Sequence, residues 1–238
     1  MLIEKAKLPA FWAFLGALVG LAFSNSIFEI FSGIYLALTL FVVVGQKHRE
    51  VFKGRTAMLA LLYLAVVLLS LLGSAYWDNS LKGAFRVFRC VLMCFFSSTV
   101  IDTEKKFKTA FFVMAWTALV MGLDAWVQAV SGFDLIRRMA MIPFTHQVGR
   151  VTGPFSHAND FSAYLCVVFF IFVGMIPFAW RRKQWKSRLF FLSGTVVLGL
   201  SLLWTYARGA WMAVALVFVA MAAIKRNVFL TWALVAAA

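Results

Sequence analysis

Residues 8–45 read LPAFWAFLGALVGLAFSNSIFEIFSGIYLALTLFVVVG, and Glu29 is the only charged side chain among them. At about 1.5 Å of rise per residue, about 20 apolar residues cross the roughly 30 Å of bilayer hydrocarbon, so this run is too long for a single crossing. Ser24-Asn25-Ser26 supplies the polar break of a tight hairpin, dividing the run into spans near 8–23 and 27–45. The same criterion, carried along the chain, places further spans near 56–75, 84–101, 110–130, 159–180, 189–206 and 209–224. A last apolar stretch, 228–238, enters the bilayer with no far end. The fold expected is all-α: a polytopic transmembrane helix bundle of about eight complete spans plus a truncated ninth, in one domain over 1–238 that is incomplete at its C-terminus.

Composition agrees with this reading. Of 238 residues, 63% are hydrophobic and 13% charged, with mean hydropathy +0.90. A soluble domain carries about 25% charged residues, which excludes that class. Lys5 and Lys7 precede the first span, but no small-residue cleavage site follows it and a second span comes at once, so it is not read as a removable signal. Cys90, Cys94 and Cys166 lie in apolar runs without metal-ligand spacing to the three histidines. They are read as packing residues; neither a disulfide framework nor a metal site is implied.

The 23 Lys and Arg against 9 Asp and Glu give a net charge of +14. In a soluble protein that balance suggests nucleic acid, whereas in a membrane protein it first reports topology, and no nucleic-acid partner is expected. Lys5 and Lys7, the cations of 47–55, 105–108 and 181–188, and Lys225 with Arg226 all fall on one side when alternate loops are assigned to one face. Basic loops mark the cytoplasm, so the N-terminus is placed there and the loop 131–158 on the external, periplasmic face. Lys82, Arg86, Arg89, Arg137, Arg138, Arg150 and Arg208 remain on or near that disfavoured side. All but one are arginine, whose planar fork of donors suits phosphate, and an anionic ligand is their simplest common explanation.

Arg86 and Arg89 are three apart inside the fourth span, where a charge costs at least about 2.5 kcal/mol. They are read either as ligand contacts or as snorkelling cations paired with Asp124. Arg208 lies in Thr205-Tyr-Ala-Arg-Gly-Ala-Trp211, where two spans meet almost without a loop. Gly209 lets backbone or ligand come close, and the opening turn of the next helix offers amide donors to an anion. An interfacial anchor beside Tyr206 and Trp211 is the competing account. In Arg150-Val-Thr-Gly-Pro-Phe-Ser-His-Ala-Asn-Asp160, Gly153-Pro154 forces a turn and Asn159 is read as the N-cap of the sixth span. That stretch suits either a phosphate or sugar site or plain re-entry into the membrane. His157, His146 and Glu29 are the candidate proton acceptors, each with a bystander reading beside it.

Two motifs carry a family resemblance: Arg150-x-x-Gly153-x-Phe155-x-x-x-Asn159-x-x-x-Ala163-Tyr164-Leu165, and Thr205-x-x-Arg208-Gly209-Ala210-Trp211. In these residues the chain resembles the O-antigen ligase and polymerase family of bacterial inner-membrane glycosyltransferases. The resemblance implies a multi-pass enzyme of lipopolysaccharide or polysaccharide biosynthesis. It would bind an undecaprenyl-pyrophosphate-linked glycan at the periplasmic face and transfer the glycan to a hydroxyl of an acceptor lipid or glycan, without metal or other cofactor. By matching motif, Arg150 and Arg208 are the pyrophosphate contacts, with Gly153 and Asn159 shaping the opening of the sixth span. The chain departs from the family at Ala207, often Ser, and at Ala158, often Pro. The family's catalytic histidine lies beyond the last residue here, which leaves His157 as a weak substitute and implies that this chain alone is inactive. Ligase and polymerase share a donor and are not separated by sequence. A transporter or flippase of an anionic lipid would also want arginines in spans, but the paired broken helices or internal repeat of that class are not visible.

Overall fold

The computed structural model describes residues 2–46, 55–143 and 149–224. Eight α-helices occur among them: α1 (Leu2–Phe23), α2 (Asn25–Gln46), α3 (Arg55–Leu72), α4 (Trp77–Val100), α5 (Glu104–Ser131), α6 (Ala158–Arg181), α7 (Trp185–Trp204) and α8 (Arg208–Ile224). Six are long and apolar enough to cross a membrane, while the apolar parts of α3 and α8 are shorter. Each helix coincides with one expected span, and several begin earlier: α4 starts at Trp77 rather than near 84, and α5 at Glu104 rather than near 110. The reason is that backbone hydrogen bonding continues into the polar interface, whereas apolar content marks only the hydrocarbon. The expected ninth segment, 228–238, and His146 lie outside the described residues. The chain folds as two compact units, Met1–Met114 and Ala115–Ala238.

In the first unit the Ser24 break makes the α1–α2 hairpin, with Ser24 N–H on the Gly20 carbonyl and Phe28 N–H on the Ser24 carbonyl at 2.9 and 3.0 Å. Gly20 is required by that closeness, because a Cβ there would lie 2.6 Å from the Phe28 backbone nitrogen. Small residues (Ala10, Ala13, Ala17) let Phe11, Leu15 and Tyr35 pack with Met93, Phe96 and Val100 of α4. The Tyr35 hydroxyl, fully buried, donates to the Met93 carbonyl at 3.2 Å, the partner a buried phenol needs.

In the second unit α6 packs with α7 and α8, and the part of α5 from Ala115 is tied to α7. Phe161, Leu165 and Phe172 of α6 and Leu198 of α7 are fully buried, as is Met121 of α5. Ser201 bonds the Gly122 carbonyl at 3.0 Å and Trp126 the Val197 carbonyl at 3.2 Å, polar ties of the kind that fix helix pairs in lipid. Elsewhere large apolar side chains face outward, among them Leu62, Leu69, Val196, Met212 and Leu216, as a lipid-facing surface requires. Cys90 and Cys94 are exposed on α4, so they are not the packing residues expected from sequence; an apolar run does not say which face of its helix is covered.

Candidate functional site

The site is built in the second unit, at the end where α5 finishes and α6 and α8 begin. The described parts of the loop there, 132–143 and 149–157, form a folded cap. Asp134, 1% exposed, receives the N–H groups of Arg137 and Met139 on its two carboxylate oxygens, at 2.6 and 2.5 Å. Asp124 of α5 takes the Leu135 N–H at 2.7 Å. Ile142–Pro143 and Gly149–Arg150 form a short antiparallel pair, a small exception to the all-helical expectation. Arg137 turns its guanidinium back onto the Pro154 carbonyl at 2.8 Å, which makes it a clamp of the loop.

Beneath the cap lies Gln128, fully buried on α5. Its carbonyl oxygen receives the N–H groups of Thr152 and Gly153 at 2.9 and 2.8 Å. Its amide nitrogen donates to the Met139 carbonyl and the Thr152 hydroxyl at 3.1 and 3.2 Å. Every hydrogen-bonding group of that side chain is therefore used, in a segment where an unpaired amide would be costly. Gly153 is fixed twice over: its φ is +53°, a conformation that favours glycine, and a Cβ would meet the buried Phe161 ring at 3.0 Å.

This scaffold brings the two sequence motifs into contact. Val151 N–H bonds the Trp204 carbonyl at 3.1 Å, and Arg150 Nε bonds the Thr205 carbonyl at 2.8 Å. The last carbonyls of α7 lack helical partners, and the first motif caps them. Arg150 Nη2 then donates to Asn159 Oδ1 at 2.7 Å. Asn159 is accordingly not the N-cap expected from sequence. His157 holds that position without a side-chain cap, and the Asn159 oxygen that would have capped is taken by Arg150. Tyr206, at φ +50°, reverses the chain, and α8 opens at Arg208.

A cavity of about 500 Å³ lies beside this junction, lined by Asn159, Ser162, Ala163 and Cys166 of α6 and by Ala207, Gly209, Ala210 and Ala213 at the start of α8. Open space lies beside Gly209, where a Cβ would touch nothing within 4 Å. Two helix N-termini thus flank one space, and unpaired amide groups with the positive dipole end favour an anion at such places. Arg208 is exposed and makes no hydrogen bond or ion pair among the described residues, so its fork is available. No protein-family model, curated protein or solved structure matches the chain.

His157 is exposed at the start of α6, and no carboxylate orients its ring among the described residues. Arg86 and Arg89 belong to the first unit, where Arg89 meets Glu29 at 3.7 Å; that pairing gives both Arg89 and Glu29 a local structural role. Among the described residues no group of three His, Cys, Asp or Glu side chains is placed to hold a metal. Sequence reasoning missed Gln128, Asp134 and the helix-capping role of Arg150. Gln128 did carry a signal, being a lone amide inside an apolar span.

Proposed function

We propose that the chain is a membrane-embedded glycosyltransferase that moves a glycan from an undecaprenyl-pyrophosphate donor to an acceptor hydroxyl. The observation that carries this reading is the direct contact between the motif around Arg150 and the motif around Arg208, beside a cavity lined by Asn159 and Gly209. In the reaction the acceptor oxygen bonds to the anomeric carbon as the bond to the pyrophosphate oxygen breaks. The electron pair leaves on undecaprenyl pyrophosphate, and the acceptor proton passes to a base. Charge grows on the leaving pyrophosphate, so fixed cations and amides placed there lower the barrier. Arg208 supplies the bidentate contact, the Arg208 and Gly209 N–H groups at the opening of α8 add donors, and Arg150 adds its charge while holding Asn159 and the turn in place. The accompanying topology has eight crossings, the N-terminus in the cytoplasm of a bacterial inner membrane, and loop 131–158 in the periplasm.

The test is transfer of labelled glycan from a lipid-pyrophosphate donor in membranes containing the protein. Transfer to lipid or to glycan separates ligase from polymerase. Movement of the donor across the bilayer without transfer would replace the reading with that of a flippase.

A further inference from the structure

Lys82, Arg86 and Arg89 stand at i, i+4 and i+7 of α4 and share one helix face, which continues through Met93, Phe96 and Val100. The Val100 end of that face is buried in the core of the first unit. Toward Trp77 the same face becomes cationic. Arg89 is half-buried, 3.7 Å from Glu29 and 3.5 Å from the Ser32 hydroxyl, and lies over the Phe28 ring. Lys82 and Arg86 are exposed and make no hydrogen bond or ion pair among the described residues.

Depth makes this arrangement costly unless something answers it. α4 is one of the helices apolar and long enough to cross a membrane. At about 1.5 Å per residue, Lys82 lies about 8 Å and Arg86 about 14 Å along the helix from Trp77. Helical side chains lean toward their own N-terminus, here the Trp77 end, so both cations extend toward the nearer headgroup layer. Exposed Tyr76 and Trp77 are of the type that marks that layer. The anions present there are lipid phosphates, and exposed Phe85 and Phe88 offer apolar surface for acyl chains beside the cations.

The charges on this face select among phosphates. Lys82, Arg86 and Arg89 are opposed by Glu29 and by exposed Asp78, one turn before Lys82, which leaves one positive charge. A phosphodiester carries one negative charge and balances it, whereas a pyrophosphate carries more and would overshoot. We propose that this face of α4 binds the headgroup of an anionic phospholipid of the phosphatidylglycerol class. This face belongs to the first unit, and the inference does not rest on the glycosyltransferase reading.

The test reconstitutes the whole chain in vesicles of mixed phosphatidylcholine and phosphatidylglycerol, extracts it gently, and measures the retained lipids by mass spectrometry. The attraction of each basic side chain to anionic lipid corresponds to roughly fivefold, so the one net positive charge of this face should enrich phosphatidylglycerol by about fivefold in the wild type. The Lys82→Gln/Arg86→Gln protein should return to the bulk ratio. Asp78→Asn removes an opposing charge and should raise enrichment about fivefold. Arg86→Lys should retain most of it, and these last two variants decide the matter if the double variant fails to insert. Retention at the bulk ratio in the wild type, or enrichment indifferent to all these substitutions, would overturn the proposal. So would displacement of phosphatidylglycerol by an equal amount of undecaprenyl phosphate, which would make the face a polyprenyl-phosphate site instead.

Discussion

Arg150 and Arg208 look equivalent in sequence, yet their side chains have different work. Arg150 ties the end of α7 to the start of α6 through Thr205 and Asn159, whereas Arg208 is exposed at the head of α8. Arg208→Lys should therefore leave the melting temperature unchanged and reduce transfer by on the order of 100-fold, the cost of losing one preorganised donor. Arg150→Lys should lower both. Initial rates and thermal unfolding at matched membrane expression measure the pair; full activity of Arg208→Lys would remove the pyrophosphate role. Gln128 gives a second residue-scale expectation. Gln128→Leu leaves the N–H groups of Thr152 and Gly153 buried without an acceptor, at about 1–3 kcal/mol for each. Thermal unfolding should register a loss of at least about 2 kcal/mol, and protease should cut the loop 132–157 faster than in the wild type.

Among the elements, the connection between α4 and α5 carries a pH dependence. Asp102 accepts from Lys106 at 2.8 Å and lies 3.9 Å from Lys7 of α1. Burial acts to raise its carboxyl, but the Lys106 hydrogen bond and the charges of Lys106 and Lys7 outweigh that and hold it below its ordinary value. A lowered folded-state value means the contribution is complete above the unfolded value of about 3.9 and is lost as pH falls through the folded one. The melting temperature of the wild type should thus fall more between pH 7 and about pH 3 than that of Asp102→Asn, with no divergence between pH 6 and 8. An ion pair this exposed is worth at most about 1 kcal/mol, so the shift is small. The helices themselves were legible in sequence because lipid demands long apolar runs, and Ser24-Asn25-Ser26 marked the hairpin. The order of 132–143 and 149–157 was not legible. It comes largely from Gln128 and Asp124 bonding backbone groups 11 to 25 residues away, and such pairings have no period or local spacing to betray them. The same holds for Arg150, whose residue type suggested phosphate while its position under α7 made it a helix cap.

For the molecule as a whole, the proposed orientation of the spans rests on the distribution of basic residues. Single cysteines placed at Ser131 and Ser187, in a background without Cys90, Cys94 and Cys166, should react with an impermeant thiol reagent from the periplasm and from the cytoplasm respectively. Labelling of the Ser187 position from outside would reverse the topology and move the α6–α8 cavity to the cytoplasmic face. Within the second unit, the segment of Arg150 meets the segment just before Arg208 through Trp204 and Thr205, and no local spacing in the sequence records which backbone groups make that meeting. That meeting also sets a clock. Residues 149–153 leave the ribosome well before Trp204 and Thr205, and at about 5–20 residues per second the 55 positions from Arg150 to Thr205 take roughly 3–11 s to synthesise. For that interval the newborn loop has Gln128 to hold it and no α7 carbonyl to grip, so the loop is set by the arrival of the α7–α8 turn rather than by its own completion.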